Sequence, residues 1–140
     1  MANMIATLTR LSPQVWITGQ VWPAHIADLR AAGFTCLVNH RPDAEEPGQP
    51  SAAEIERAGA EAGLQVVHAP AFGLPDTAVV QATREVLDAL QGHDKAVFFC
   101  RSGMRSAAAW AMAERLAGKE PGALRDAAAA AGYDLSRVPL

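Results

Sequence analysis

The stretch KAVFFCRSGMRSAAAW, residues 95–110, joins an apolar run, a cysteine followed by two arginines, and a series of small helix-forming residues. A nearly continuous apolar run of this length is typical of a strand that is covered on both faces. The run from Ala96 to Cys100 therefore predicts a central strand with the cysteine at its carboxyl end, directly before a helix. Such a strand, loop and helix in succession indicate an α/β fold.

Apolar runs and segments of helical periodicity alternate along the rest of the chain. This alternation predicts parallel strands joined by right-handed helical crossovers. A glycine follows most of the predicted helices, as is common at helix ends. We therefore predict one domain over residues 1–140, an α/β three-layer sandwich with a central, mainly parallel sheet of about four strands. The predicted strands are residues 15–18, 34–39, 64–69 and 96–100, and the glycines are Gly33, Gly63, Gly92, Gly118 and Gly132.

The composition restricts the classes of partner. Half of the 140 residues are apolar, which is enough for one core, and the formal net charge is -3. No run of like charge has the length of a nucleic-acid-binding arm, so neither nucleic acid nor a membrane is an expected partner. The first residues lack the basic start and long apolar stretch of a signal peptide, which predicts a cytoplasmic protein. The oligomeric state stays open.

The histidines and cysteines predict neither a metal site nor a cofactor. The four histidines lack the spacing of metal ligands, and the signatures of hydrolytic zinc sites are absent. In a cytoplasmic protein two cysteines are expected to be free thiols. Cys36 lies inside the apolar run FTCLVN without a neighbouring base or cation, which favours a structural role. Cys100 is the candidate nucleophile.

Parallel pairing predicts where the polar residues meet. The carboxyl ends of parallel strands lie at one edge of the sheet, so the loops 39–50, 68–76 and 100–105 are expected to converge there. Ligands of open α/β folds bind at this edge. The predicted rim of the pocket consists of the polar residues at two of these strand ends, Asn39, His40, Arg41 and His68.

The loop after Cys100 has the composition of an anion-binding site. Free N–H groups at the start of a helix, together with the helix dipole, stabilise a thiolate. Gly103 allows the backbone to direct its amides inward, and two arginines add positive charge. We predict Cys100 and Arg105 as catalytic residues. The predicted anion-binding loop comprises Arg101, Ser102, Gly103, Met104, Arg105 and Ser106.

The segment CRSGMRS, residues 100–106, resembles the active-site loop of rhodanese-like sulfurtransferases and is similar to the Cys-x5-Arg loop of protein tyrosine and dual-specificity phosphatases. Together with NHRPDAEEPGQP, residues 39–50, it resembles the phosphatase-like domain of the beta-lactamase-hydrolase-like family. The resemblance implies a protein-tyrosine-phosphatase-like fold and either phosphatase or sulfur-transfer activity. Ala44 stands where this family usually has glycine, and Met104 where a small polar residue is common.

Two features bear on the transferred group. Four residues separate Cys100 from Arg105, so Ser106 occupies the position of the phosphatase arginine, and the tighter loop favours a single sulfur atom. A phosphatase also needs a general acid, for which Asp43 and Asp76 are the candidates. Asp76 precedes a helix and is more simply explained as its N-cap. Whether Asp43 is the general acid stays open, because the acidic cluster in which it lies can equally pair with nearby arginines.

The main hypothesis is therefore transfer of sulfane sulfur through a Cys100 persulfide, from a small anionic or persulfide donor to an acceptor thiol or sulfite. The first alternative is a phosphatase that forms a phosphocysteine at Cys100 and acts on a phosphorylated substrate. The second alternative is a noncatalytic module that binds anions or phosphoproteins. Because some relatives are fused to a metallo-beta-lactamase-like sulfur dioxygenase, the resemblance also implies a sulfur-oxidising enzyme as a candidate partner.

Overall fold

A computed structural model describes residues 4–140 of the chain. Within this range a five-stranded sheet has the order β1-β2-β5-β3-β4. The strands are β1 (Thr9–Ser12), β2 (Val15–Thr18), β3 (Cys36–Asn39), β4 (Gln65–His68) and β5 (Ala96–Phe99). The α-helices are α1 (Ile26–Ala31), α2 (Ala52–Ala62), α3 (Thr77–Ala89), α4 (Met104–Leu116) and α5 (Pro121–Ala130), and short 3-10 helices span Met4–Thr7 and Pro23–His25.

The predicted α/β architecture is confirmed, with one more strand than expected. β2, β5, β3 and β4 pair in parallel, and β5 lies at the centre of the sheet. β1 pairs antiparallel with β2, so that Thr9 lies opposite Ile17. β1 was not predicted, because its four residues, TRLS, show neither an apolar run nor a sustained alternation.

The sheet is covered on both faces, which gives the predicted three layers. Val38 and Phe98 point into a core shared with α3, α4 and α5. Leu37, Val97 and Phe99 point into the opposite core, with α1 and α2. The alternation of consecutive residues between two cores explains why β5 is apolar throughout.

Local capping fixes the start of α2, the helix that follows the 39–50 loop. The Ser51 hydroxyl accepts a hydrogen bond from the Glu54 amide at 3.1 Å, and the Glu54 carboxylate accepts one from the Ser51 amide at 3.3 Å. This reciprocal capping box starts α2 at Ala52. The helix ends at Ala62 and is capped by Gly63, whose φ of 75° is readily adopted only by glycine. The 39–50 loop is therefore held between β3 and a well-defined helix start.

Candidate active site

Cys100 lies directly after the central strand and is fully buried. The amide of Gly103 donates a hydrogen bond to the Cys100 Sγ at 3.1 Å. Gly103 has a φ of 97° and is the N-cap of α4, which begins at Met104. The loop thus turns back on the sulfur through a conformation that favours glycine, and it places the sulfur at the positive end of a helix. This arrangement can hold a thiolate or a small anion.

The second cysteine has a different environment. Cys36 lies in β3 with apolar neighbours, and burial, followed by the nearby charge of Asp94, raises the pKa of its thiol to about 11. A thiol of that kind is protonated at neutral pH and is a poor nucleophile. The predicted structural role of Cys36 agrees with this environment.

Arg105, in the first turn of α4, is held by two acceptors from other loops. Its Nη1 donates to Glu45 Oε2 at 2.8 Å and to the carbonyl oxygen of Ala71 at 2.7 Å, and its Nη2 donates to Glu45 Oε1 at 2.9 Å. These contacts use three of the five N–H groups of the guanidinium. The other two, on Nε and Nη2, have no oxygen acceptor among the described residues, and they lie along one edge of the planar group.

The free edge of Arg105 is the one available to the nucleophile. The pKa of Arg105 is raised, first by the hydrogen bond to Glu45 and then by the charge of Cys100 and a hydrogen bond to it. Two parallel N–H groups beside a sulfur form the fork that binds two oxygens of a phosphate or another oxyanion. The geometry therefore brings together Cys100 and Arg105.

A chain of ion pairs joins the two loops around the sulfur. Arg41 is almost completely buried, and its Nε donates to Glu45 at 2.9 Å while its Nη2 donates to Glu46 at 2.5 Å. Arg101 Nε in turn lies 3.2 Å from Glu46. Glu45 and Glu46 of the 39–50 loop therefore pair with arginines at positions 41, 101 and 105, one of the options that the sequence left open. Burial of Arg41 makes this network a fixed part of the site, since a buried charge must stay paired.

Neither candidate general acid points freely at the sulfur in this conformation. Asp43 Oδ1 accepts a hydrogen bond from the Ala52 amide at 2.8 Å, at the start of α2. Asp76 Oδ1 accepts one from the Val79 amide at 3.0 Å and is the N-cap of α3, as predicted. Asp43 as a general acid stays a prediction, and its observed contact is that of a helix cap.

His40, one of the predicted rim residues, lies beneath the loop and is completely buried. Its Nδ1 is 2.8 Å from the Ser106 hydroxyl, and its Nε2 is 3.0 Å from the Thr83 hydroxyl. Because Thr83 donates its proton to the Val79 carbonyl, its oxygen must accept from Nε2–H, and Nδ1 then accepts from Ser106. Burial, followed by the charges of His68 and Arg105, lowers the pKa of His40 to about 3. The imidazole is a neutral structural link that anchors Ser106.

The other rim residues support the backbone. The Asn39 side chain accepts a hydrogen bond from the Arg41 amide at 2.8 Å, and His68 Nε2 lies 2.9 Å from the Arg41 carbonyl oxygen. Both residues fix the path of the chain at Arg41. Ser102 and Met104 lie in the loop itself, where the Ser102 hydroxyl accepts a hydrogen bond from the Met104 amide at 3.3 Å.

Two residues at the site were not identified from the sequence. The arginine-binding role of Glu45 was not singled out, because the sequence does not specify which arginine a given glutamate meets. Tyr133 follows α5, and its hydroxyl donates to the carbonyl oxygen of Ser102 at 3.0 Å. No motif surrounds Tyr133, so only the packing of the carboxyl-terminal segment identifies it.

Within residues 4–140 no three His, Cys, Asp or Glu side chains cluster in a way that could hold a metal ion. In the same range, no helix combines the length and apolar character needed to cross a bilayer.

The fold and the position of the loop define the class: this is a protein-tyrosine-phosphatase-like α/β domain with a cysteine-arginine loop after its central strand. Residues 7–117 match the model of the family described as beta-lactamase hydrolase-like protein, phosphatase-like domain, and the chain belongs to that family. A beta-lactamase hydrolase-like protein of Agrobacterium fabrum is 30% identical over 128 residues, which cover 90% of this chain and 29% of that protein. One from Xylella fastidiosa is 28% identical over 130 residues, which cover 91% of this chain and 30% of that protein. The chain thus spans less than a third of the length of these relatives.

Solved structures with low sequence identity show the same fold. A candidate phosphatase from Neisseria meningitidis has a TM-score of 0.79 at 23% identity, with 94% of this chain and 92% of that chain covered. Tk-PTP in its active form has a TM-score of 0.70 at 21% identity, covering 94% and 89%. A kinase associated phosphatase with its catalytic cysteine replaced by serine has a TM-score of 0.68 at 15% identity, covering 86% and 79%. These likenesses show the protein-tyrosine-phosphatase-like fold that the resemblance implied.

Proposed function

We propose that this chain is a cysteine-dependent phosphatase in which Cys100 takes up the phosphoryl group. The observation that carries the proposal is the interaction of Arg105 with Cys100 through two N–H groups that neither Glu45 nor Ala71 occupies, at a sulfur that already accepts a hydrogen bond from the Gly103 amide. Phosphoryl transfer requires stabilisation of charge on three equatorial oxygens. A bidentate arginine and inward-pointing loop amides supply that stabilisation.

In the first step the Cys100 thiolate attacks phosphorus in line with the leaving oxygen. The S–P bond forms while the P–O bond to the leaving group breaks, and the leaving oxygen takes up a proton from an acid or from water. Arg105 neutralises two of the phosphoryl oxygens throughout the transfer. Because Cys100 is fully buried in this conformation, the side chains over the sulfur must shift as the phosphoryl group enters.

In the second step water attacks the phosphocysteine. The new P–O bond forms as the S–P bond breaks, inorganic phosphate leaves, and the sulfur returns to the thiolate held by Gly103. The same electrostatic surroundings that stabilise the thiolate make it a good leaving group here.

The environment of the carboxylates bears on the substrate. Asp43 and Asp76 both accept hydrogen bonds from helix amides, and Glu45 and Glu46 are paired with arginines. A phosphate ester whose leaving group is stable as an anion depends least on a general acid. Aryl phosphates are therefore the class of substrate we expect to be turned over fastest.

Sulfur transfer remains the competing function, and one observation favours it: the loop has four residues between Cys100 and Arg105 where phosphatases have five. The test runs both reactions on one preparation. Phosphate release from an aryl phosphate is assayed with the wild type and with Cys100→Ser. A phosphoryl adduct on Cys100 is measured by mass spectrometry after rapid quenching. The same proteins are incubated with thiosulfate, and their intact masses are measured by mass spectrometry to detect added sulfur.

We expect phosphate release and a phosphoryl adduct with the wild type, and loss of both in Cys100→Ser. Added sulfur on Cys100 without phosphate release would replace the proposal with sulfur transfer. Binding of phosphate without either reaction would indicate a noncatalytic anion-binding module.

A further inference from the structure

The peptide group between Ser102 and Gly103 is hydrogen-bonded at both of its ends. The Tyr133 hydroxyl donates to the carbonyl oxygen of Ser102 at 3.0 Å. On the opposite side of the same peptide group, the Gly103 amide donates to the Cys100 Sγ at 3.1 Å. A continuous path of hydrogen bonds therefore runs from the phenol of Tyr133 through one peptide group to the candidate nucleophile.

The two ends of a peptide group cannot move independently. The group is planar and trans, so its C=O and N–H point in opposite directions and rotate together. A residue that holds the carbonyl outward consequently holds the amide inward. Hydrogen bonds in such a chain also polarise each other, so donation to the carbonyl strengthens the amide as a donor.

The orientation of the Ser102–Gly103 peptide group depends on the hydrogen bond to its carbonyl, because glycine at position 103 leaves the backbone free to rotate. Gly103 has a φ of 97°, and a Cβ at this position would overlap the Tyr133 hydroxyl. The close approach of the phenol therefore depends on glycine, and the conformation that glycine permits depends on an external contact to keep it.

We propose that Tyr133 is a positioning residue that orients the Gly103 amide toward Cys100 and thereby stabilises the thiolate. The proposal rests on the proposed function only in taking Cys100 as the nucleophile, and it holds for phosphate and for sulfur as the transferred group.

The segment that carries Tyr133 is well anchored. The Tyr133 amide donates to the Ala128 carbonyl at 2.8 Å, and Leu135 and Val138 are buried in the core beside α4. Burial and then the charge of Cys100 raise the pKa of the Tyr133 phenol, which places the phenol within electrostatic reach of the sulfur. Tyr133 also lies outside residues 7–117, the part matched by the family model. The carboxyl-terminal segment thus adds a contact to the loop from beyond the matched domain.

Ionisation of Cys100 tests the proposal without any substrate. The ultraviolet absorbance of the thiolate is measured as a function of pH. At each pH the absorbance of the same protein carrying Cys100→Ser is subtracted, which leaves the signal of Cys100. We expect Tyr133→Phe, which removes only the hydroxyl, to raise the midpoint of this titration by about half to one pH unit. Alkylation of Cys100 by iodoacetamide below the midpoint should slow by about three- to tenfold. Ser136→Ala is the control, because its described hydrogen bonds run to Asp134.

A second experiment changes the strength of the Tyr133 hydroxyl as a hydrogen-bond donor instead of removing the hydroxyl. Tyr133 is the sole tyrosine of the chain, so biosynthetic incorporation of a fluorotyrosine modifies this position alone. The more acidic phenol is a stronger donor, and we expect it to lower the Cys100 midpoint. An unchanged midpoint in Tyr133→Phe, in protein shown by circular dichroism to be folded, would overturn the proposal. So would an equal shift in Ser136→Ala. Loss of phosphatase activity with no change in the titration would also overturn it, whereas absence of phosphatase activity in the wild type would leave the titration result intact.

Discussion

Glu45 binds Arg105 across 60 positions of sequence, with Oε2–Nη1 and Oε1–Nη2 distances of 2.8 and 2.9 Å. This bidentate pair lowers the pKa of Glu45 to about 2, chiefly through the hydrogen bond from Arg105, so the carboxylate is ionised at any pH of enzymatic interest. The pair joins the 39–50 loop to the loop after the central strand. It leaves two N–H groups of the guanidinium without an oxygen acceptor among the described residues, and Arg105 interacts electrostatically with Cys100.

Glu45→Gln should weaken the hold on Arg105 while keeping the size of the side chain. A neutral amide can accept only one of the two hydrogen bonds, so the free edge of Arg105 loses its fixed orientation. We expect kcat/KM for an aryl phosphate to fall by about ten- to a hundredfold. Glu46→Gln is the matched control, because Glu46 pairs with Arg41 and Arg101 and not with Arg105. Equal losses in the two variants would contradict a specific role for Glu45.

Asp43→Asn separates a helix cap from a general acid. Asparagine retains the side-chain oxygen that accepts from the Ala52 amide but cannot donate a proton as the acid does. We expect kcat to change by less than about threefold, because the observed contact is a cap. A loss of about a hundredfold or more, confined to substrates with poor leaving groups, would instead assign Asp43 as the general acid. Steady-state kinetics on a series of phosphate esters checks this.

His40 should make the fold sensitive to acid. Its pKa is about 3 in the folded protein, against about 6.5 in an unfolded chain, so between these values the unfolded chain binds a proton that the native state does not. The free energy of unfolding therefore falls as the pH drops from about 6.5 to about 3, by up to about 1.4 kcal/mol per pH unit from this residue. Above about pH 6.5 the effect is absent.

We expect His40→Asn to show a shallower loss of stability across that pH range, in urea denaturation at a series of pH values. The variant should also be less stable at neutral pH by about 1–3 kcal/mol, because a buried hydroxyl partner loses its hydrogen bond. His93→Asn is the control, since the His93 side chain is 80% exposed. A pH dependence in His40→Asn as steep as that of the wild type would show that the acid sensitivity arises elsewhere.

Ala44→Gly should stabilise the protein. Ala44 has a φ of 61°, a left-handed conformation that costs an L-residue about 1–2 kcal/mol and glycine almost nothing. The greater freedom of glycine in the unfolded chain offsets about 0.4–1 kcal/mol of this, so a net gain of about 0.5–1 kcal/mol is expected. Thermal unfolding measures it. Ala60→Gly, at an exposed position of α2, should have the opposite sign, and a loss of stability in both variants would refute the strain at Ala44.

The strain at Ala44 illustrates what the sequence could and could not show. The resemblance identified this position as one where glycine is usual, and the structure supplies the reason in a positive φ. Likewise the Ser51 capping box and the Asp76 cap were predictable, because each depends on residues within one helical turn. The fifth strand was not, because four residues without a clear pattern form β1 only through pairing with β2.

The sequence by itself determined the layered α/β fold, the central strand and the position of Cys100 at its end. These features follow from hydrophobic periodicity and local backbone chemistry, which act over a few neighbouring residues. Only the tertiary structure decided which groups form hydrogen bonds around this site. Glu45 binds Arg105, Asp43 binds the first amide of α2, and Tyr133 binds the carbonyl oxygen of Ser102. These hydrogen bonds of about 3 Å join residues 60, 9 and 31 positions apart, all beyond one helical turn, and no local pattern encodes them.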